Sequence, residues 1–183
     1  GKSSIVDTPY KMSDFADDIA SLLDHLGIEK AILVGHSMGG YVALAFARKY
    51  PNRINGLALV SSQALADSSE GREKRYKTAE DVVEEGVGIV ADAMVAKLSA
   101  VKKVQDFAGL LINAQSKAGV TGALKAMAER EDSTPILPQF NFPLLLVHGD
   151  ADALIPIDRA KEIKSSLPAA QLFELQGVGH MPM

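Results

Sequence analysis

One stretch of this chain, ILVGHSMGGYVALAFA at residues 32–47, restricts its fold more than any other. An apolar run typical of a buried strand stops at Gly35, a lone serine follows between glycines, and an Ala-rich segment typical of a helix resumes at Met38. So tight a turn strains the serine backbone, and small residues two positions away on either side, Gly35 and Gly39, are expected to prevent a steric clash. The G-x-S-x-G pattern in this context predicts a nucleophile elbow with Ser37 as the nucleophile.

The residues beside the serine have separate predicted roles. The N–H of Met38 opens the helix, so it is expected to stabilise an oxyanion. His36 is adjacent to Ser37 on the turn, and its ring is expected to point away from the hydroxyl. The plainer interpretation, in which this segment only connects a strand to a helix, is disfavoured because strand, helix and Gly40 occur together. Neither a G-x-G-x-x-G fingerprint nor a P-loop fits the segment.

Four apolar runs separated by helical segments predict a parallel sheet that is buried on both faces. The chain reads helix, strand, helix, strand, long insert, strand, helix, strand, which is typical of an α/β fold with a sheet of about four strands flanked by helices. The predicted strands are residues 30–34, 56–61, 144–148 and 170–175.

The first helix is predicted from an N-cap and an apolar face. Ser13 is the expected N-cap and Gly27 follows the helix. The predicted packed face comprises Phe15, Ile19, Leu22, Leu23 and Leu26.

The long insert, residues 63–142, differs in sequence pattern from the rest of the chain. Its glycines separate short segments that each have one apolar face. We predict that residues 63–142 form a helical lid or cap between the second and third strands, and that residues 1–62 and 143–183 form the core. The predicted helices of the insert are residues 72–85, 88–98, 102–117 and 121–130.

A serine needs a base, and the base needs an orienting acid, so both are expected after later strands. The third strand is followed by HGDADALIP at residues 148–156, which offers Asp150 and Asp152, and the fourth is followed by GVGH, which ends at His180. The order Ser, Asp, His suits this type of sheet. His148 is equally compatible with lining the site and with simple packing.

These three motifs in order resemble the α/β-hydrolase superfamily, and most closely its lid-bearing esterase and 3-oxoadipate enol-lactonase-like branch. The resemblance covers essentially the whole chain. It implies that Ser37 is the nucleophile, Asp152 rather than Asp150 the acid, and His180 the base. Family members also carry strands and a loop with a second oxyanion donor before the segment that matches Gly1, and a helix after the catalytic histidine. The chain is therefore expected to be truncated at both ends.

Composition excludes several classes of function. The net charge is −4 and the 19 Lys and Arg residues are scattered, so nucleic acid is not an expected partner. No apolar run reaches the roughly 18 residues of a membrane span, so no membrane partner is expected. The absence of cysteine permits a reducing compartment, and a cytoplasmic location is expected. Four histidines without grouped carboxylates predict no metal site, and the chemistry calls for no cofactor.

The predicted function is hydrolysis of a small-molecule carboxylic ester or lactone. Related dehalogenases and epoxide hydrolases carry Asp in place of Ser37, so the resemblance disfavours those activities. Two alternatives stay open: a non-hydrolytic small-molecule receptor on the same fold, and a cofactor-free perhydrolase. The sequence does not define the oligomeric state.

Overall fold

The computed structural model describes residues 10–183. Four strands of this part form one sheet in the order β1-β2-β3-β4, and every neighbouring pair is parallel. The strands are β1 Ala31–His36, β2 Ile54–Val60, β3 Leu144–Gly149 and β4 Gln171–Leu175. The predicted α/β class and the parallel sheet of about four strands are confirmed.

Seven α-helices in residues 10–183 lie before the first strand or between successive strands along the chain. They are α1 Met12–His25, α2 Met38–Lys49, α3 Ser69–Glu85, α4 Gly88–Leu98, α5 Lys102–Asn113, α6 Lys117–Ala128 and α7 Asp158–Ser166. Short 3-10 helices lie at Pro51–Arg53 and Thr134–Gln139. No helix among residues 10–183 is long and apolar enough to cross a membrane.

Helices α3 to α6 all fall between β2 and β3 in the chain, where the insert was predicted. The prediction that one helix extends to residue 117 is wrong, because α5 ends at Asn113 and α6 begins at Lys117. Ser116 explains the new start: its side chain accepts a hydrogen bond of 3.0 Å from the Gly119 N–H and caps α6.

The described residues form two compact units. The helical unit contains residues 10–11 and 67–130, and within it α3 packs against α6 and α4 against α5. Its chain enters at Asp67 and leaves at Arg130, and these two residues form an ion pair of 2.8 Å. The Arg130 side chain is only 4% exposed, so this pair is shielded from water. Asp67 also pairs with Arg75.

The sheet unit contains residues 12–66 and 131–183 and has its own apolar core. Helix α1 packs against α2, and α2 contacts β1 and β2. The largest fully buried side chains of this core are Phe46, Leu44, Leu57, Leu59, Leu137, Leu146 and Ile163.

The sequence prediction for α1 is wrong in two respects. Ser13 lies inside the helix, which begins at Met12, so it is not the N-cap. The predicted packed face is also wrong in part, because Leu22 and Leu26 are more than half exposed. Of the predicted face, Leu23 is buried and Ile19 packs against the core, whereas the other buried residues of α1 are Met12, Ala16 and Ala20. Small side chains at the contact allow α1 to lie close to α2, and helix periodicity weighted by hydrophobicity cannot detect that.

Candidate active site

Ser37 lies between the last residue of β1 and the first residue of α2, with φ 52° and ψ −118°. A non-glycine residue in this left-handed region costs on the order of 1–3 kcal/mol, so its surroundings must hold it there. The Ser37 N–H donates to Val60 O at 2.9 Å, and the Ser62 hydroxyl donates to Ser37 O at 2.9 Å. The end of β2 therefore fixes the elbow.

Of the two glycines predicted to be required by sterics at the elbow, the structure supports Gly35 but not Gly39. A Cβ on Gly35 would lie 2.4 Å from Gly39 O, and one on Gly40 would lie 2.2 Å from the Ser62 hydroxyl. A Cβ on Gly39, by contrast, would meet no atom within 4 Å in residues 10–183. The steric reason given for Gly39 is therefore wrong, and Gly40 takes that role because the chain after β2 crosses against it.

The structure brings Ser37, Asp152 and His180 together from loops at the carboxyl ends of β1, β3 and β4. Ser37 Oγ lies 2.8 Å from His180 Nε2, and His180 Nδ1 lies 2.8 Å from Asp152 Oδ2. A carboxylate can only accept, so Nδ1 carries the ring proton, and Nε2 is left to accept from the Ser37 hydroxyl. This arrangement can remove a proton from Ser37.

The Asp152 carboxylate is fully shielded from water and is held by several donors. Its Oδ1 accepts from the N–H groups of Leu154 at 2.9 Å and Ile155 at 3.0 Å. Burial alone raises the pKa of Asp152, but hydrogen bonds from His148, His180 and these two backbone groups outweigh burial and hold the pKa well below its usual range. Asp152 is therefore an anion at neutral pH.

The other aspartate of this loop, Asp150, does not contact His180. Its Oδ1 accepts a hydrogen bond of 2.7 Å from the Gly177 N–H, and Gly177 has φ +69°. Asp150 thus ties the loop after β3 to the loop after β4, which carries His180. Of the two aspartates that the motif offers, the structure places Asp152 on the histidine.

His36 has a contact that sequence reasoning missed. Its Nε2 lies 2.7 Å from His180 O, and because a carbonyl only accepts, Nε2–H is the donor. The two rings are tilted with centroids 5.0 Å apart. Burial is the largest influence on the pKa of His36 and lowers it, while the hydrogen bond to His180 opposes that shift. No local sequence signal predicts a contact across 144 residues.

Met38 is the first residue of α2, and the N–H groups of a first helical turn lack partners inside the helix. They carry the positive end of the helix dipole beside Ser37. No group of three or more side chains suited to holding a metal ion occurs within residues 10–183.

Comparisons with known proteins agree with this fold. A family model described as alpha/beta hydrolase fold matches residues 1–111. A thermophilic esterase from Thermogutta terrifontis is 38% identical with a TM-score of 0.95, covering 100% of this chain and 70% of that one. The enol-lactonase from Burkholderia xenovorans LB400 is 25% identical with a TM-score of 0.88, covering 98% of this chain and 70% of that one.

This chain covers only part of the length of one curated relative. The dihydrolipoyllysine-residue acetyltransferase component of the acetoin cleaving system from Pseudomonas putida is 30% identical over 182 residues. That match covers 93% of this chain but 46% of the relative, so the chain spans about half of that protein.

Proposed function

The chain belongs to the α/β-hydrolase fold family, and we propose that it is a serine hydrolase that cleaves carboxylic esters or lactones through an acyl-enzyme. The observation that carries this proposal is the unbroken series of hydrogen bonds from Ser37 through His180 to Asp152. Each side chain in the series has the partner that its role requires, and the base is in the tautomer that can accept a proton.

The proposed reaction begins when Ser37 Oγ attacks the carbonyl carbon and its proton passes to His180 Nε2. The C–O bond to the alcohol, or within the lactone ring, then breaks, and His180 gives the proton to the departing oxygen. Water next attacks the acyl-enzyme, loses a proton to His180, and the acid is released as Ser37 recovers its proton. Asp152 stabilises the imidazolium in both halves.

The tetrahedral oxyanion needs donors that are already in place, and we assign one of them to the Met38 N–H at the start of α2. Removing one such donor typically costs about 100- to 1000-fold in kcat. A backbone donor cannot be deleted by changing a side chain, and the strained elbow keeps it next to Oγ.

The substrate class is supported by the comparisons, because the solved relatives include an esterase and an enol-lactonase. We further propose that helices α3 to α6 act as a lid that selects the substrate. Its helix α5 exposes three large apolar side chains, Phe107, Leu110 and Leu111. A Leu110→Gln variant that leaves the ratio of activities on p-nitrophenyl butyrate and acetate unchanged would contradict this assignment.

A fluorophosphonate probe tests the proposed function without knowledge of the substrate. We expect labelling at Ser37, located by peptide mapping, that is absent in Ser37→Ala and strongly reduced in His180→Ala. A Ser165→Ala variant on α7 should label like the wild type, since Ser165 Oγ only donates to Lys161 O. A folded protein without labelling would overturn the proposal and favour a non-hydrolytic receptor.

A further inference from the structure

A second histidine lies against the same carboxylate oxygen as His180. His148 is near the end of β3, and its side chain is 1% exposed. Its Nε2 lies 2.8 Å from Ile155 O and 3.4 Å from Asp152 Oδ2. Oδ2 is also the atom that His180 Nδ1 contacts at 2.8 Å. Two imidazole rings therefore converge on one oxygen.

The protonation of His148 follows from its partners. The Ile155 carbonyl and the ionised Asp152 carboxylate both only accept, so Nε2 of His148 must carry a proton. That N–H is shared, with the carbonyl as its nearer partner and the carboxylate as its second. Each oxygen of Asp152 is then approached by two donors: Leu154 and Ile155 on Oδ1, and the two histidines on Oδ2.

Because it is buried, the contact between His148 Nε2 and Asp152 Oδ2 stabilises the carboxylate more than its distance of 3.4 Å alone would suggest. The Asp152 side chain is 0% exposed, so no solvent can replace a donor that is removed. His148 also binds the backbone of the loop that carries Asp152, through the Ile155 carbonyl. One ring thus restrains both the loop and the carboxylate, which a residue that only fills the core would not do.

We propose that His148 is a positioning residue of this site. Its N–H orients the Asp152 carboxylate so that Oδ2 faces His180, and by donating to Oδ2 it reduces the negative charge on that oxygen. The inference rests on the proposed serine-hydrolase function. By sharing its N–H, His148 sets how strongly Asp152 stabilises the imidazolium of His180. Its polar partners are Ile155 O and Asp152 Oδ2, and neither of these is a reacting atom.

Removing this donor has two consequences of different kinds. The carboxylate loses one restraint, so the base is held less well and kcat falls while KM changes little. More charge also stays on Oδ2, so the protonated form of the base is favoured and the acidic limb of the pH–rate profile moves to higher pH. Loss of packing alone would lower stability without moving that limb.

The test compares His148→Gln, which can place an amide N–H near the position of Nε2, with His148→Leu, which cannot. Rates of fluorophosphonate labelling and of p-nitrophenyl acetate hydrolysis are measured from pH 5 to pH 9. We expect His148→Leu to lower kcat about tenfold, with the midpoint of the acidic limb raised by about half a pH unit. His148→Gln should stay within about threefold of the wild type. The exposed His25→Gln is the matched control and should change neither quantity.

Equal losses in the two His148 variants with an unchanged midpoint would overturn the inference, and so would a folded His148→Leu with wild-type kcat. Where His148→Leu fails to fold, His148→Asn replaces it, because its shorter amide cannot reach Oδ2. Nitrogen-15 NMR of the wild type gives a test without substitution: a protonated Nε2 on His148 is expected, and an unprotonated one overturns the inference. Failure of the proposed function is distinct, since wild-type Ser37 would then not be labelled.

Discussion

Gly149 and Val178 are in such close backbone contact that no side chain fits between them. A Cβ on Gly149 would lie 2.0 Å from Val178 O and 2.6 Å from Val178 C. Val178 O also accepts a hydrogen bond of 3.1 Å from the Ala151 N–H. Because Val178 is two residues before His180, the end of β3 directly sets the position of the loop that carries the base.

We expect Gly149→Ala to inactivate the protein even if it folds. The new methyl group meets backbone atoms, so the loop must move, and a shift of about 1 Å can cost on the order of 100-fold in rate. The measurements are the rate of fluorophosphonate labelling of Ser37 and the urea concentration at the midpoint of unfolding. Gly56→Ala is the matched control, because the nearest atoms to its Cβ would be in the Ile32 and Pro143 side chains, at an ordinary contact distance of 3.6 Å. Similar losses in both variants would contradict the argument.

A second prediction concerns Gly40 and Ser62. A Cβ on Gly40 would lie 2.2 Å from the Ser62 hydroxyl and 2.6 Å from Ser62 Cβ. We therefore expect Gly40→Ala to lower the free energy of unfolding, and Ser62→Gly added to it to restore part of the loss by making room. A double-mutant cycle in urea should give a coupling of about 1 kcal/mol or more. Additive effects would show that the clash is relieved elsewhere.

The sequence predicts which side chains the structure brings together at Ser37 because their signals are local. Strand, tight turn and helix around Ser37 are all encoded within residues 32–47, and the two later motifs follow apolar strands. Those strands are parallel, so their carboxyl ends meet at one edge and bring the motifs together.

What the sequence could not predict depends on contacts between distant segments. The need for Gly40 arises from Ser62, which follows β2, and the role of His148 depends on how the loop after β3 returns to it. The packed face of α1 was predicted wrongly because Leu22 outweighs Ala16 on a hydrophobicity scale, although Ala16 is the buried residue.

The third prediction separates the two aspartates of the motif. We expect Asp152→Asn to lower kcat by about 10⁴-fold, because an amide N–H facing His180 Nδ1 imposes the wrong tautomer on the base. Asp150→Asn should stay within a few fold of the wild type, since its carbonyl oxygen can still accept from the Gly177 N–H. Steady-state kinetics on p-nitrophenyl acetate measures both. Comparable losses of kcat in the two variants would show that Asp152 is not the acid that orients His180.

The fourth prediction concerns the ion pair at the ends of the helical unit. Burial alone raises the pKa of Asp67, but Arg130 and Arg75 outweigh it and hold that pKa below its usual range. Arg130→Met removes the more buried of the two partners of Asp67 and leaves the carboxylate with Arg75, so it should cost about 2 kcal/mol in free energy of unfolding. The double variant Asp67→Leu, Arg130→Met should recover part of that loss in urea denaturation, because Arg75 is a quarter exposed and water can solvate it without Asp67.

The pH dependence of stability provides a check on the same pair. Because the folded pKa of Asp67 is depressed, its contribution is present above the unfolded value of about 3.9 and is lost as the pH falls through the folded value. The difference in stability between wild type and the double variant should therefore shrink only in acid. A difference that changes between pH 6 and pH 8 would contradict the assignment to Asp67.

The last prediction uses His36. Burial lowers its folded pKa, so as the pH falls below about 6.5 the unfolded chain takes up a proton before the native protein does. The contribution of His36 to stability is thus complete above that pH and is lost as the pH falls through the folded value. His36→Gln keeps an N–H that can reach His180 O but does not titrate. Its free energy of unfolding should therefore depend less steeply on pH than that of the wild type between pH 7 and pH 5.

This window isolates histidine, because the carboxyl groups of the unfolded chain titrate near pH 4. His25→Gln is the control, since His25 is exposed at the end of α1 and its replacement should leave the wild-type slope unchanged. Parallel curves for wild type and His36→Gln would mean that the native protein protonates His36 as readily as the unfolded chain does. The hydrogen bond from His36 Nε2–H to the His180 carbonyl, which neutral and protonated imidazole can both donate, would then fully offset the effect of burial on the pKa of His36.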